Sequence, residues 1–303
     1  MLYIIYHKTD YLDYIFQGID LSKFQVKFVE LNKKTNLIQR INRKVLPHWF
    51  SFFPSLFVGK KMRKELQQLT SSDVLLVFGY AYPNLIRAIN FLVNSKVKKN
   101  LWFWDPKSGD PNSIKFIQQQ GFRIYTFDSS HAKQLGAYSL PQFYKMTTVN
   151  CSKNNNEFLY DFYFCGFKKN REEKINKIKD FLEEQGFKAY FHVASSMSEA
   201  ISYEDNLKNI QKSKCLVEIV DDNLEGLTLR TLEALKFRRK LFTTNTKIAT
   251  EEFYRKNNIY IYNEDINDDL VSFLNCEYVD ISKNILMKYD INSWIQNLTT
   301  ETI

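Results

Sequence analysis

Cysteine is scarce in this sequence, and long apolar runs are absent. Only four of the 303 residues are cysteine, Cys151, Cys165, Cys215 and Cys276. They are widely separated, without Cys-x-x-Cys spacing, and Cys165 and Cys215 sit inside strand-like apolar runs. This pattern points to reduced, packing cysteines in a cytoplasmic protein. No His/Cys cluster has metal-ligand spacing, so no metal is expected; Asp265-Ile266-Asn267-Asp268 reads as a helix start. No window approaches the ~18 uninterrupted apolar residues of a membrane-spanning helix. The stretch from Met1 to Lys8 has no basic leader and only a short apolar run, which reads as a first strand and not a signal peptide. A fixed short repeat is missing. So is any nucleic-acid recognition motif, and the positive charge is spread along the chain, which sets nucleic acid aside as a partner.

What remains is an ordinary globular composition, 44% hydrophobic and 25% charged, which excludes a disordered chain. The formal charge of +8 fits an acidic partner such as a phosphorylated substrate or anionic lipid, or equally a lysine-rich coding bias without function. The length allows two domains of about 150 residues, each with its own core. Strand and helix patterns alternate twice, the signature of parallel sheets with crossover helices. The first half offers strands at Leu2–Tyr6, Gln25–Leu31, Asp73–Phe78, Asn100–Trp104 and Arg123–Phe127, with helices at Pro83–Val93 and Pro111–Gln120. The polar stretch from Asn150 to Glu157 is the best interdomain linker. The second half restarts with strands at Tyr160–Cys165, Lys188–Val193, Cys215–Val220, Lys240–Thr244 and Asn258–Tyr262, and helices at Arg171–Gln185 and Thr228–Phe237. The expected organisation is a first domain over 1–149, a linker over 150–158, a second domain over 159–280 and a terminal helix within 281–303. This is an α/β protein of two Rossmann-like domains facing across a cleft, with ligands at the carboxyl ends of the strands.

The stretch Glu225-Gly226-Leu227-Thr228-Leu229-Arg230-Thr231-Leu232-Glu233 carries the most chemistry. It follows the apolar strand pattern of Cys215-Leu216-Val217-Glu218-Ile219-Val220 and enters a helix near Thr228. Backbone N–H groups from Gly226 to Leu229 are then unpaired at the helix start, where the dipole favours a diphosphate. Gly226 admits a close ligand, Thr228 offers a hydroxyl, and Glu233 shares a helix face with Arg230. The alternative is a solvent-facing helix with an Arg230–Glu233 surface pair.

With Glu233-Ala234-Leu235 continuing it, this stretch resembles the Glu-x7-Glu element of GT-B glycosyltransferases. The resemblance implies that Glu225 contacts a donor sugar, that Gly226, Leu227 and Thr228 contact phosphates, and that Glu233 holds the ribose, with Arg230 nearby. The usual Gly-Phe-Gly-Leu interior is Gly-Leu-Thr-Leu here. Gly166, Lys168, Lys169 and Arg171 follow the first strand of the second half. Three cations at a helix start oppose its dipole unless an anion is present, which makes them donor-phosphate candidates; solvated surface lysines are the alternative. Gly166 reads as permitting a tight turn.

For an acceptor-activating base, Asp105 stands at a strand's carboxyl end, though an Asp before Pro106 also forms turns. His7 and Asp10 compete for that role, and Asp128 is either a site residue or a helix cap. His192 is a ligand contact or an edge histidine. The segment from Trp49 to Lys64 pairs aromatics with cations, which suits either an anionic membrane surface or a packed interior. The Asp-x-Asp of GT-A enzymes is absent from a suitable strand end. The resemblance therefore implies a metal-independent transferase, without cofactor, moving a sugar from a nucleotide sugar to a glycan or glycolipid acceptor, in bacterial surface polysaccharide or lipooligosaccharide synthesis. A non-catalytic scaffold subunit of the same fold is the alternative.

Overall fold

A computed structural model describes residues 1–31, 58–79, 83–104, 111–146, 158–221, 226–263 and 269–300. The chain divides into two compact units, the first comprising Met1–Thr9, Ile19–Leu140 and Gln296–Ile303, and the second Asp10–Gly18 and Pro141–Ile295.

In chain order the first half runs β1 (Leu2–Tyr6), α1 (Asp10–Phe16), β2 (Val26–Glu30), α2 (Lys60–Gln67), β3 (Val74–Phe78), α3 (Pro83–Leu92), β4 (Lys98–Phe103), α4 (Pro111–Gln119), β5 (Phe122–Thr126), α5 (Ser129–Leu135) and β6 (Tyr138–Ser139). Its six strands form a parallel sheet in the order β2-β1-β3-β4-β5-β6. Every residue of β1 is buried, as a central parallel strand covered on both faces requires. Ile5, Leu75, Val77, Leu101 and Ile124 meet Leu66, Ile86, Ile89, Ile114 and Ile117 from the helices. Each such side chain contributes about 1.5–3 kcal/mol by leaving water. Pro111 opens α4 and Gly121, at φ +78°, ends the turn after it. α1, whose pattern the sequence reading left unassigned, groups with the second unit.

The second half runs β7 (Tyr160–Phe167), α6 (Glu172–Glu184), β8 (Ala189–Ala194), α7 (Tyr203–Gln211), β9 (Ser213–Glu218), α8 (Leu229–Phe237), β10 (Lys240–Thr243), β11 (Ile259–Ile261), α9 (Leu270–Asn275), α10 (Lys283–Met287) and α11 (Ile291–Thr300). Five parallel strands are ordered β11-β10-β9-β7-β8. The α/β class and the two parallel sheets agree with the sequence expectation. Phe162, Phe164, Val217 and Phe242 pack with Ile175, Ile178 and Leu182 on one face of this sheet.

Two local expectations need correction. Gly166 makes no turn: it lies inside β7, paired with Val193, where an added Cβ would come within 3.1 Å of Phe164 and 3.3 Å of Arg171. Its missing side chain makes room for the Arg171 guanidinium. The terminal helix is also not continuous, because α10 and α11 are separated at Asp290. That carboxylate, fully buried, accepts the Asn292 amide at 2.9 Å and the Met146 amide at 3.0 Å, so it starts a new helix while anchoring residues 144–146.

Candidate functional site

In the second sheet β7 has β8 on one side and β9 on the other, so chain progression reverses between β7 and β9. The crevice outside the carboxyl ends of such a strand pair is where open α/β sheets bind ligands. Two segments meet there, residues 168–171 after β7 and, after β9, residues 219–221 with 226–228.

Glu218 ends β9 and is 3% exposed. A carboxylate so buried needs donors, and three threonines supply them. Thr228 and Thr231 donate to Oε1, the latter at 2.7 Å, and Thr243 donates to Oε2 at 2.6 Å. The Thr228 hydroxyl oxygen also accepts the Arg230 amide at 3.1 Å, which makes Thr228 the N-cap of α8. Asn245 donates to the Gly226 carbonyl at 3.4 Å, and Leu227 is buried. The start of α8 is therefore fixed from below by one carboxylate. Sequence reasoning missed Glu218, whose only signal was a lone charge in an otherwise apolar strand.

After β7, Lys169 adopts φ +43°, the left-handed region that a Cβ disfavours. This tight turn brings Arg171 back across the strand end. Its guanidinium donates to the carbonyls of Phe167, at 3.3 Å from Nη2, and of Ile219, and it lies 5.9 Å from the Phe164 ring centre. Arg171 thus joins the segment after β7 to the one after β9. Burial pulls its guanidinium below the usual arginine range, opposed by Asp221 and Glu218. Lys168 pairs with Glu172 at 3.3 Å, and Lys169 is exposed.

Glu233 is 2% exposed. The surface-pair alternative is thereby overturned: Arg230 does pair with Glu233, at 2.6 Å, but inside the fold. Glu233 Oε1 accepts the Tyr203 hydroxyl at 2.7 Å and the Asn206 amide at 3.3 Å. The network continues through a 2.7 Å contact between the Tyr203 and Tyr144 hydroxyls, and Tyr163 donates to Asn206 at 3.0 Å. Arg230 also donates to the Cys165 carbonyl at 3.0 Å, and its guanidinium lies 5.7 Å from the Tyr163 ring centre. Tyr11 and Tyr14 of α1 lie edge-on or tilted against Tyr203 at 6.4 and 5.4 Å. Burial, then the Glu233 charge, raises the Tyr203 hydroxyl well above the ordinary phenol range. Burial works to lower Arg230, yet the charge of Glu233 and its other neighbours raise it on balance. The cluster is one anion and one cation ringed by neutral phenols.

The structure thus brings Gly226, Leu227, Thr228, Arg230 and Glu233 together with Arg171 and Gly166. Glu225 and Asp105 lie outside the described residues, as do Trp49–Phe57, the linker from Asn150 to Glu157 and Asp265–Asp268. His7 follows β1 and is half-buried, Asp10 opens α1, and both therefore sit on a different sheet end or helix from the Glu218 group. Asp128 is a helix cap that accepts the His131 amide at 2.9 Å. His192, on the edge strand β8, contacts the Glu199 carbonyl at 2.9 Å. Among the described residues no three His, Cys, Asp or Glu side chains are grouped to hold a metal ion, and no helix is long and apolar enough to cross a membrane.

No family model and no curated protein matches the chain. Among solved structures, accessory secretory proteins 1, 2 and 3 of Streptococcus pneumoniae are similar at 12% identity and a TM-score of 0.46, over 82% of this chain and 54% of that one. HepE of Anabaena, solved in complex with UDP, is similar at 8% identity and a TM-score of 0.47, over 99% and 100%. The GtfA/B complex is similar at 11% identity and a TM-score of 0.36, over 79% and 53%. The chain spans about half the length of the first and third of these.

Proposed function

We propose that this protein is a GT-B-type glycosyltransferase that binds a nucleotide sugar at the carboxyl ends of β7 and β9 and transfers the sugar to a glycan or glycolipid. One observation carries the reading: the start of α8, with Gly226 and Leu227 ahead of its Thr228 cap, stands at the strand-order reversal of a parallel sheet and is tied to a cationic turn by Arg171. A helix start at such a reversal suits a diphosphate through backbone amides and dipole, and Lys168 and Lys169 add positive charge as the leaving group departs. In this reading Glu225 orients the sugar, and Glu233 takes the ribose by exchanging the Tyr203 hydroxyl for ribose hydroxyls. The acceptor falls to the first unit, with His7 or Asp105 as base if configuration inverts, and surface polysaccharide or lipooligosaccharide assembly, at the cytoplasmic face of a membrane, is the setting. The test is turnover. Release of nucleoside diphosphate that depends on both a donor and an acceptor supports transfer, and no release across a broad panel of both would overturn it.

A second reading, a non-catalytic scaffold subunit, draws on the completeness of the Glu233 network, in which both carboxylate oxygens already have partners. Such a subunit can still bind nucleotide and be stabilised by it, so it predicts no acceptor-dependent release of nucleoside diphosphate with any donor and acceptor.

A further inference from the structure

Lys240 opens β10 and is 6% exposed. Its Nζ donates to three carbonyls, Asn257 at 2.8 Å, Phe273 at 2.5 Å and Cys276 at 2.7 Å, and stands 3.0 Å from Cys276 Sγ. Capping the carbonyl end of α9 accounts for the Phe273 and Cys276 contacts, and the Asn257 carbonyl ties the segment before β11 to the same nitrogen. It does not require a thiol at the same nitrogen. Cys276 is half-buried, which leaves a path for a small oxidant, whereas its amine neighbour is shielded from bulky thiols. The other described cysteines are less suited: burial pushes the Cys165 and Cys215 thiols up, and Cys215 is fully enclosed.

We propose that Lys240 and Cys276 are a site of oxidative cross-linking, in which peroxide converts their contact into a covalent nitrogen–sulfur bond. Hydrogen peroxide gives one oxygen atom to Sγ, forming a sulfenic acid and water; sulfur loses two electrons and the peroxide is reduced. The ammonium of Lys240 releases one proton to solvent, and the nitrogen lone pair attacks sulfur. The S–O bond breaks, and the departing hydroxide takes the nitrogen's second proton and leaves as water. The product is a sulfenamide that a dithiol reverses. It closes a loop between β10 and the end of α9, so it stabilises the second unit by restricting the unfolded chain.

The experiment is peptide mapping of the wild-type protein by mass spectrometry after mild hydrogen peroxide, with and without later dithiothreitol. The expected result is a linked pair of peptides containing Lys240 and Cys276, lighter than their sum by two hydrogens and separated again by the dithiol. Cys276→Ser and Lys240→Arg yield no such pair, and only the wild type gains a melting midpoint on oxidation, by roughly 2–8 °C. Recovery of Cys276 as a sulfinic or sulfonic acid beside an unmodified Lys240, with no linked pair, would overturn the proposal. So would a Cys276 that peroxide leaves untouched.

Discussion

The Thr228 hydroxyl caps α8 by accepting the Arg230 amide and donates to Glu218 at the end of β9. One side chain therefore sets both the direction of the helix and its height above the sheet. Replacing Thr228 with Val keeps the shape and loses both bonds, so unfolding free energy falls by about 1–2 kcal/mol. Thr228→Ser restores most of it. Urea denaturation of the three proteins measures the difference, and a Val variant as stable as wild type would show that the cap is idle.

Glu218 is the more expensive partner to remove. Glu218→Ala strips three hydroxyls of their acceptor and leaves a cavity, for an expected loss of about 3–5 kcal/mol. Glu218→Gln can still accept from two hydroxyls, but its amide meets a donor where an acceptor stood, so the expected loss is about 1–3 kcal/mol. Because the cost sits at the start of α8, hydrogen exchange should rise first in residues 226–232, and uniform exchange across the second unit would contradict the local role.

The strand pattern was legible because the strands are buried and parallel. β1 matched its expected span residue for residue, and most other elements agreed to within one or two positions at their ends. Their apolar runs are written into the sequence, since both faces of each inner strand must leave water. The failures have a common physical origin in residues whose partners are distant in sequence. Asp290 splits an amphipathic pattern because the Met146 amide, 144 positions away, shares its carboxylate. Gly166 reads as a turn because nothing nearby in sequence shows that it pairs with Val193 of β8, which extends β7 through it. The solvent-facing alternative for Glu233 fails because the carboxylate is enclosed by Tyr203 and Asn206 of α7, residues that no helical periodicity of α8 can reveal.

Asp161 supplies a pH-dependent contribution to the second unit. Burial alone would raise its carboxyl, but Lys214 at 2.8 Å and the Lys188 amide at 3.0 Å hold it below the usual range. A depressed native value means the stabilisation is fully present above the unfolded value of about 3.9 and is lost as pH falls through the native one. Asp161→Asn should therefore cost about 1 kcal/mol at pH 7 and progressively less below about pH 4. Equal losses at pH 7 and at about pH 3 would rule out an ionised Asp161 as the cause.

Tyr203 and Glu233 separate a ligand-binding network from a purely structural one. In the free protein the phenol occupies Oε1 at 2.7 Å, so a ribose reaches that oxygen only by displacing it. Tyr203→Phe removes the competitor while keeping the ring that packs on Tyr11 and Tyr14. It should lower stability by about 1–2 kcal/mol and yet tighten nucleotide-sugar binding several-fold, because a donor no longer has to break that bond. Glu233→Gln should act in the opposite sense on affinity, and it weakens the pairing of a buried Arg230, at about 3 kcal/mol or less in stability. Isothermal titration below the melting range of each variant reads the two affinities directly. A network that is purely structural loses stability in both variants and shifts nucleotide-sugar affinity in neither; opposite shifts in affinity from one shared hydrogen bond arise only if the carboxylate exchanges a phenol for a ligand.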